Sequence, residues 1–360
     1  MVRVLHVITG MGSGGAEALI MNWYRNIDRT KVQFDFLLRS DDNMYSEEIN
    51  KMGGKVYVMP SYPRHYIKNY QDTKEFLQKN SYKIIHVHGN ALIYTNILPM
   101  AKKLGIPCRI MHSHNTDTQK KMYRPVHYLN RINITKYITD AFACSDAAGK
   151  WMFKNHDFTV LKNGIEIDKF IYDPELRSRK RKELRLEDKF VFGHVGKFLP
   201  SKNHHFLLNV FEKVAKQRPE CVLLSIGEGP LQQEIERMAS EKGIADKIRF
   251  LGVRRDVNEL MQAMDLFLFP SLFEGLGIVL IEAQTSGLHI LVSSQVVREC
   301  KITDLVRFLP LEESQWINAI MNYMDSPARE QYRTDEIIEA GYDMKQVVKS
   351  LERFYLEKGV

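Results

Sequence analysis

The feature that most constrains this chain is a unit met twice: a β-rich run, a glycine turn, then a helical pattern. "VRVLHVITGMGSGG" opens the chain, and "FVFGHVGKFLPSKN" repeats the scheme near residue 190. Short apolar runs alternate with helix-period segments around each. In the first half Val2–Thr9, Phe34–Leu38, Val56–Met59, Ile84–His88, Arg109–Met111 and Ala141–Cys144 read as strands, with Ala16–Asn26 as the first helix. In the second half Phe190–Val195, Val222–Ile226, Ile248–Leu251, Leu266–Phe269 and Ile290–Val292 read as strands, with helical patterns between them. This alternation implies βαβ units and parallel sheets. A chain of 360 residues exceeds one typical core and suits two. The expected fold is α/β, with two Rossmann-like doubly wound domains facing a central cleft. The expected spans are 1–165 and 166–344, with a C-terminal helix over about 345–360 returning to the first domain. Ligands of such domains bind beyond the carboxyl ends of the strands. The charged stretch Asp173–Lys189 reads as a solvated helix and connection.

The net charge of +7 suits an acidic ligand, an anionic membrane surface or nucleic acid. No nucleic-acid recognition motif is visible, so nucleic acid is not an expected partner. Cys108, Cys144, Cys221 and Cys300 form no C-x-x-C pair, which points to free thiols rather than zinc or a disulfide framework. The opening residues lack a signal-peptide pattern, and no run approaches the ~20 apolar residues of a spanning helix. The expectation is a cytoplasmic chain, with peripheral attachment at the inner face of the plasma membrane as a further candidate.

Three loops carry the chemistry. Gly10, Gly12 and Gly15 fit G-x-G-x-x-G after a strand and before a helix, a place where backbone N–H groups can meet a phosphate. With Asp41 as the ribose-binding acid, this loop alone would admit an NAD-dependent dehydrogenase. In "GKFLPSKN", Gly196, Lys197 and Lys202 follow a strand end, where two amines can neutralise a diphosphate. In "FEGLGIVLIEA", Glu274 and Glu282 flank Gly275, Leu276, Gly277 and Ile278. If helical throughout, the eight steps rise ~12 Å, the span from a ribose across a pyrophosphate to a sugar.

With these motifs on the page, the chain resembles family 4 of the retaining glycosyltransferases, of GT-B fold. "GGAE" (Gly14 to Glu17), "NGIEIDKF" (Asn163 to Phe170), "GKFLPSKN", "SIGEGP" (Ser225 to Pro230), "FLGVRRDV" and "EGLGIVLIE" stand in family order. The resemblance implies that Lys197 and Lys202 stabilise the leaving diphosphate. Glu274 would face the donor sugar, Gly275 to Ile278 the phosphates, and Glu282 the ribose. Gly196 belongs to the lysine loop, Gly227, Val253 and Arg254 would lie near the ribose or base, and Gly14 and Gly15 would line the cleft from the first domain. It also implies a histidine near the reacting sugar; His114 is favoured over His112, and both stay open. The bacterial exopolysaccharide and capsule members imply a hexose or N-acetylhexosamine moved from a nucleotide sugar, a UDP-sugar, to a glycan or lipid-linked acceptor, with retention. No D-x-D triplet occurs, so the transfer is expected to need no metal and no cofactor. The stretch Thr118 to Thr139 holds Lys120, Lys121, Arg124, Arg131 and Lys136, no acidic residue and interleaved apolar side chains, and is the candidate membrane patch. The alternatives are the dehydrogenase, which leaves the second-half motifs without a role, and a non-catalytic sugar-nucleotide-binding partner subunit.

Overall fold

Runs rich in Val, Ile, Leu and Phe form the strands, and the central strands of both sheets are buried on both faces, as parallel strands covered by helices must be. The computed structural model describes residues 1–12, 14–118, 121–329 and 333–359. These divide into two compact units, Met1–Gly164 with Met344–Val360, and Ile165–Asp343.

The first unit holds β1 (Val2–Val7), β2 (Val32–Leu38), β3 (Val56–Val58), β4 (Ile84–Gly89), β5 (Cys108–Ser113), β6 (Asp140–Ala143) and β7 (Thr159–Val160). They form one seven-stranded sheet in the order β3-β2-β1-β4-β5-β6-β7, with every pair parallel. The order reverses between β1 and β4. The helix Met344–Lys358 buries Val347, Val348, Leu351 and Tyr355 against Val4, Ile84 and Ile110 on one face of this sheet. It shares that face with the helix Gly15–Asn26.

The second unit holds β8 (Phe190–Val195), β9 (Cys221–Ile226), β10 (Ile248–Phe250), β11 (Leu266–Phe269), β12 (His289–Ser293) and β13 (Val306–Leu309). Its parallel sheet runs β10-β9-β8-β11-β12-β13 and reverses between β8 and β11. The two strands absent from the sequence reading, β7 and β13, are short outer strands with little apolar signal of their own.

The charged segment after residue 173 departs from its expectation. The helix Pro174–Glu183 is not a solvated connection but packs within the second unit. Arg177 and Arg181 ion-pair with Asp265 and donate to the carbonyls of Gln262, Ala263 and Met264. Lys180 is buried among Glu183, Asp256 and Glu259. Arg177 and Arg181 close the carbonyl end of the helix Val257–Ala263, where positive charge complements the helix dipole.

Candidate active site

In the second unit the loops after β8, β9, β10 and β11 meet at the carboxyl end of the sheet, around its reversal point. Backbone hydrogen bonds lace them together. Gly196 N–H donates to Ile226, Phe198 N–H to Glu228, Gly227 N–H to Gly252, and Leu272 N–H to Ser201. Gly227 cannot be another residue here. Its φ is +137°, and a Cβ would lie 2.2 Å from the carbonyl oxygen of Gly196. The sequence candidates Gly196, Lys197, Lys202, Gly227, Val253, Arg254, Glu274 to Ile278 and Glu282 all belong to this one set of loops and the helix that follows.

Their charged groups differ in the partners they meet. Lys202 ends the 3-10 turn Pro200–Lys202, and its Nζ lies 2.5 Å from Glu274 Oε1 and 5.0 Å from the centre of the Phe269 ring. The two side chains are 17% and 13% exposed, so the pair sits in a partly desolvated place. Lys197 is half-buried, with no hydrogen-bond or ion-pair partner for its amine among the described residues. Arg254 forms a bidentate pair with Asp256 at 2.8 and 2.7 Å on an exposed turn with Val253, so its charge is already answered.

The segment from Glu274 to Glu282 corrects the helical-rise expectation. The helix is Ile278–Thr285, and Gly277 caps it at φ +72°, a left-handed conformation that favours glycine. Only the last half of the span is helical, so Glu274 stands in the loop and the ~12 Å helical rise does not apply. The helix buries Val279, Leu280, Ile281, Ala283, Gln284 and Thr285. Ile278 and Glu282, four residues apart on one face, keep some exposure. The Glu282 carboxyl has no partner among the described residues, and desolvation by the surrounding protein pushes its pKa up to about 7.

The first glycine loop is a poor seat for a diphosphate. A Cβ on Gly12 would lie 2.1 Å from an Asp42 carboxylate oxygen, and one on Gly14 would lie 2.0 Å from Glu17. Two carboxylates therefore crowd the loop on which the dehydrogenase reading rested. Gly15 starts the helix, and a Cβ there would meet nothing within 4 Å. Asp41 is exposed.

His112 lies inside β5, fully buried under Trp23, with ring centres 5.8 Å apart. A ring sealed in the core cannot meet a sugar, which removes His112 from the pair of candidates. His114 follows the strand and is half-buried. Sequence reading missed its company: His6 on β1 and His86 and His88 on β4 lie on the same sheet face as both. The available signal was the two-residue spacing of 86/88 and 112/114 on predicted strands. The ligand atoms of His6, His86 and His88, and those of His88, His112 and His114, lie within 4.8 Å of one another. However, His86 stacks on His88 and His112 on His114, with ring centres 4.2 and 4.3 Å apart. In-plane lone pairs of stacked rings run side by side rather than converging, and among the described residues no carboxylate completes either group, so the arrangement fits a metal poorly.

The basic segment is also changed. Lys120 lies outside the described residues. Arg124 ion-pairs with Asp117, just upstream of the acid-free stretch, and Arg131 lies over the Tyr128 ring and donates to the Trp151 carbonyl. Met122, Leu129 and Ile132 are 74%, 66% and 71% exposed. Exposed apolar surface, more than unpaired charge, distinguishes this stretch. No helix among the described residues is long and apolar enough to cross a membrane.

Comparison with known proteins agrees with this geometry. Residues 13–169 match the family described as Glycosyltransferase Family 4, and residues 176–305 the one described as Glycosyl transferases group 1. The putative glycosyltransferase EpsF of Bacillus subtilis is 32% identical over 98% of this chain and 96% of its own length. An Escherichia coli UDP-Gal:alpha-D-GlcNAc-diphosphoundecaprenol alpha-1,3-galactosyltransferase is 25% identical over 70% of this chain and 68% of its own length. Among solved structures, Anabaena HepE in complex with UDP-glucose superposes with a TM-score of 0.75 at 17% identity, covering 99% of both chains. WaaG, a glycosyltransferase involved in lipopolysaccharide biosynthesis, superposes with a TM-score of 0.71 at 16% identity, again over 99% of both. Two doubly wound units, motif loops gathered at one sheet end, and a relative 32% identical along nearly the whole length identify the chain as a glycosyltransferase of family 4, with the GT-B fold.

Proposed function

We propose that the chain is a retaining, metal-independent glycosyltransferase. It moves a hexose or N-acetylhexosamine from a UDP-sugar to a lipid-linked or glycan acceptor during assembly of a cell-surface polysaccharide. The observation that carries this reading is the set of groups at the reversal point of the second sheet. Lys197 and the Lys202–Glu274 pair are gathered there by the laced loops, with the partnerless Glu282 carboxyl on the helix that follows. The chemistry breaks the bond between the anomeric carbon and the diphosphate. An acceptor hydroxyl oxygen forms the new bond on the same face, and its proton passes to the departing phosphate oxygen. Charge grows on that phosphate, where amines and backbone N–H groups fixed in advance lower the barrier. Glu282, when ionised, accepts hydrogen bonds from the ribose hydroxyls. His114 is read, from the family resemblance, as giving a ring nitrogen to a sugar hydroxyl.

The relatives support the finer terms by what their names say of them. The Escherichia coli enzyme uses UDP-Gal and a diphosphoundecaprenol acceptor, HepE is seen with UDP-glucose, and CapH of Staphylococcus aureus serves capsular polysaccharide biosynthesis. The two lysines supply the positive charge that a metal would otherwise bring. A thermal-shift and turnover screen across UDP- and GDP-sugars, run in chelator, tests the proposal. UDP-sugars should stabilise the fold and be turned over at full rate. Activity lost in chelator and restored by magnesium or manganese would overturn metal independence. Response to GDP-sugars alone would overturn the donor assignment.

A further inference from the structure

Four histidines on three adjacent strands of the first unit and a fifth just after the third strand form two hydrogen-bonded rows. Strand pairing sets His6 beside His86 and His88 beside His112. In one row Tyr355 Oη meets His86 Nδ1 at 2.6 Å, and His86 Nε2 meets His112 Nδ1 at 3.1 Å. In the other, His6 Nδ1 meets His88 Nε2 at 2.9 Å, and His88 Nδ1 meets His114 Nε2 at 2.9 Å. Rings within a row lie nearly in one plane, at 12° for His6–His88 and 29° for His88–His114. This is the geometry of in-plane N–H···N bonds.

Proton counting then restricts the second row. A neutral imidazole carries one N–H and one lone pair. Each link joins an Nδ1 to an Nε2. If His6 donates from Nδ1, His88 accepts at Nε2, donates from its own Nδ1, and His114 accepts at Nε2 and carries its proton on Nδ1. The reverse order puts every proton on Nε2. The three rings must share one tautomer. Burial holds all three pKa values below the ordinary histidine range, so they are neutral at pH 7 and the counting applies. The two ends, His6 Nε2 and His114 Nδ1, are buried without a hydrogen-bond partner among the described residues. His6 is fully buried, its ring centre 4.1 Å from that of Phe34, whereas His114 belongs to a half-buried residue after β5. The His114 end is the one nearer solvent.

We propose that His6 and His88 are positioning residues for His114: the row fixes its ring through Nε2 and decides whether its Nδ1 presents an N–H or a lone pair to a ligand oxygen. The consequence for turnover rests on the reading of His114 as a sugar-facing group; the row itself does not.

The test is long-range proton–nitrogen correlation of the full chain labelled with ¹⁵N-histidine at pH 7, assigned with single-histidine variants. In the wild type, His6, His88 and His114 should each show one protonated and one bare nitrogen, all of the same sense. His6→Phe removes one link of the row and leaves the His88–His114 link, so the balance between the two tautomers of His114 should change. His6→Asn should move it back toward the wild type, because a side-chain amide can meet His88 Nε2. With His114 facing the sugar, His6→Phe should also lower kcat/KM by about tenfold. Mixed tautomers in the wild type would overturn the proposal, and that measurement needs no variant to fold. So would a His114 unchanged by His6→Phe. A changed tautomer balance with unchanged kcat/KM would uphold the row and remove His114 from the reaction instead.

Discussion

Lys202 is held by Glu274, so on the proposed reading an incoming diphosphate would compete with a carboxylate for the amine and gain its full charge only as that contact loosened. Lys202→Ala should therefore act mainly on the transition state. We expect kcat and kcat/KM to fall together by a factor of ~100, or ~3 kcal/mol. Thermal stability should change by about 1.5–3 kcal/mol, the range of a hydrogen bond to a charged group. Near-normal kinetics in a folded variant would contradict the assignment. Glu282 offers a second test through pH. Burial pushes its carboxyl up to about 7, and on the proposed reading ribose hydroxyls would donate to the ionised form. Donor affinity should rise by up to about tenfold from pH 6 to pH 8 in the wild type and stay flat in Glu282→Gln, as read by calorimetry. A flat wild-type profile would remove the role. Stability runs the other way. The folded pKa lies above the ordinary carboxyl value of 4.5, so this group's contribution is present below 4.5 and lost as pH rises through about 7. Glu282→Gln should consequently gain melting temperature over the wild type at pH 8 and none at pH 4.

At the scale of elements, the helix Arg124–Arg131 and its flanking turns show how structure reweights a sequence pattern. Read as a string, the stretch offers five cations. In space, Arg124 and Arg131 are engaged, while Lys121 and Lys136 have no ion-pair partner among the described residues. Attachment to an anionic bilayer would then draw about 1 kcal/mol from each free cation, with the rest from the exposed side chains of Met122, Leu129 and Ile132. In vesicle co-sedimentation, changing these three to Ser should reduce binding more than changing Lys121 and Lys136 to Gln. Donor hydrolysis should be spared in both. A wild-type chain that ignores anionic vesicles at low salt ends the membrane reading and leaves the transferase reading intact.

Across the whole molecule the two units carry different acid sensitivity. In the first, burial lowers the pKa of His6, His86, His88, His112, His114 and His127. In the second, burial lowers His194 and His204, and Glu282 shifts in the opposing sense. A depressed histidine leaves stability intact above the unfolded value of 6.5 and removes it as pH falls toward the folded value, about 4 for His114. Each proton taken up on unfolding contributes about 1.4 kcal/mol per pH unit. Calorimetry should therefore show the first unit's transition falling faster than the second's between pH 7 and pH 5. A separation that does not widen with acid would refute this.

Most of the strands, the two-unit α/β plan and the motif loops were legible in the sequence, because parallel strands buried on both faces must be short apolar runs punctuated by glycine turns. The lysine and glutamate motifs were legible for the same reason: loops after strands can end only at one side of a parallel sheet. What the tertiary structure alone decided was partnership. Pairing of charges depends on distance between segments far apart in the chain. It set Lys202 on Glu274, buried Lys180 among acids, and placed Asp42 where the first glycine loop would need a phosphate. The histidine rows arise in the same way, since three strands had to come into register before rings at residues 6, 88 and 114 could share their protons.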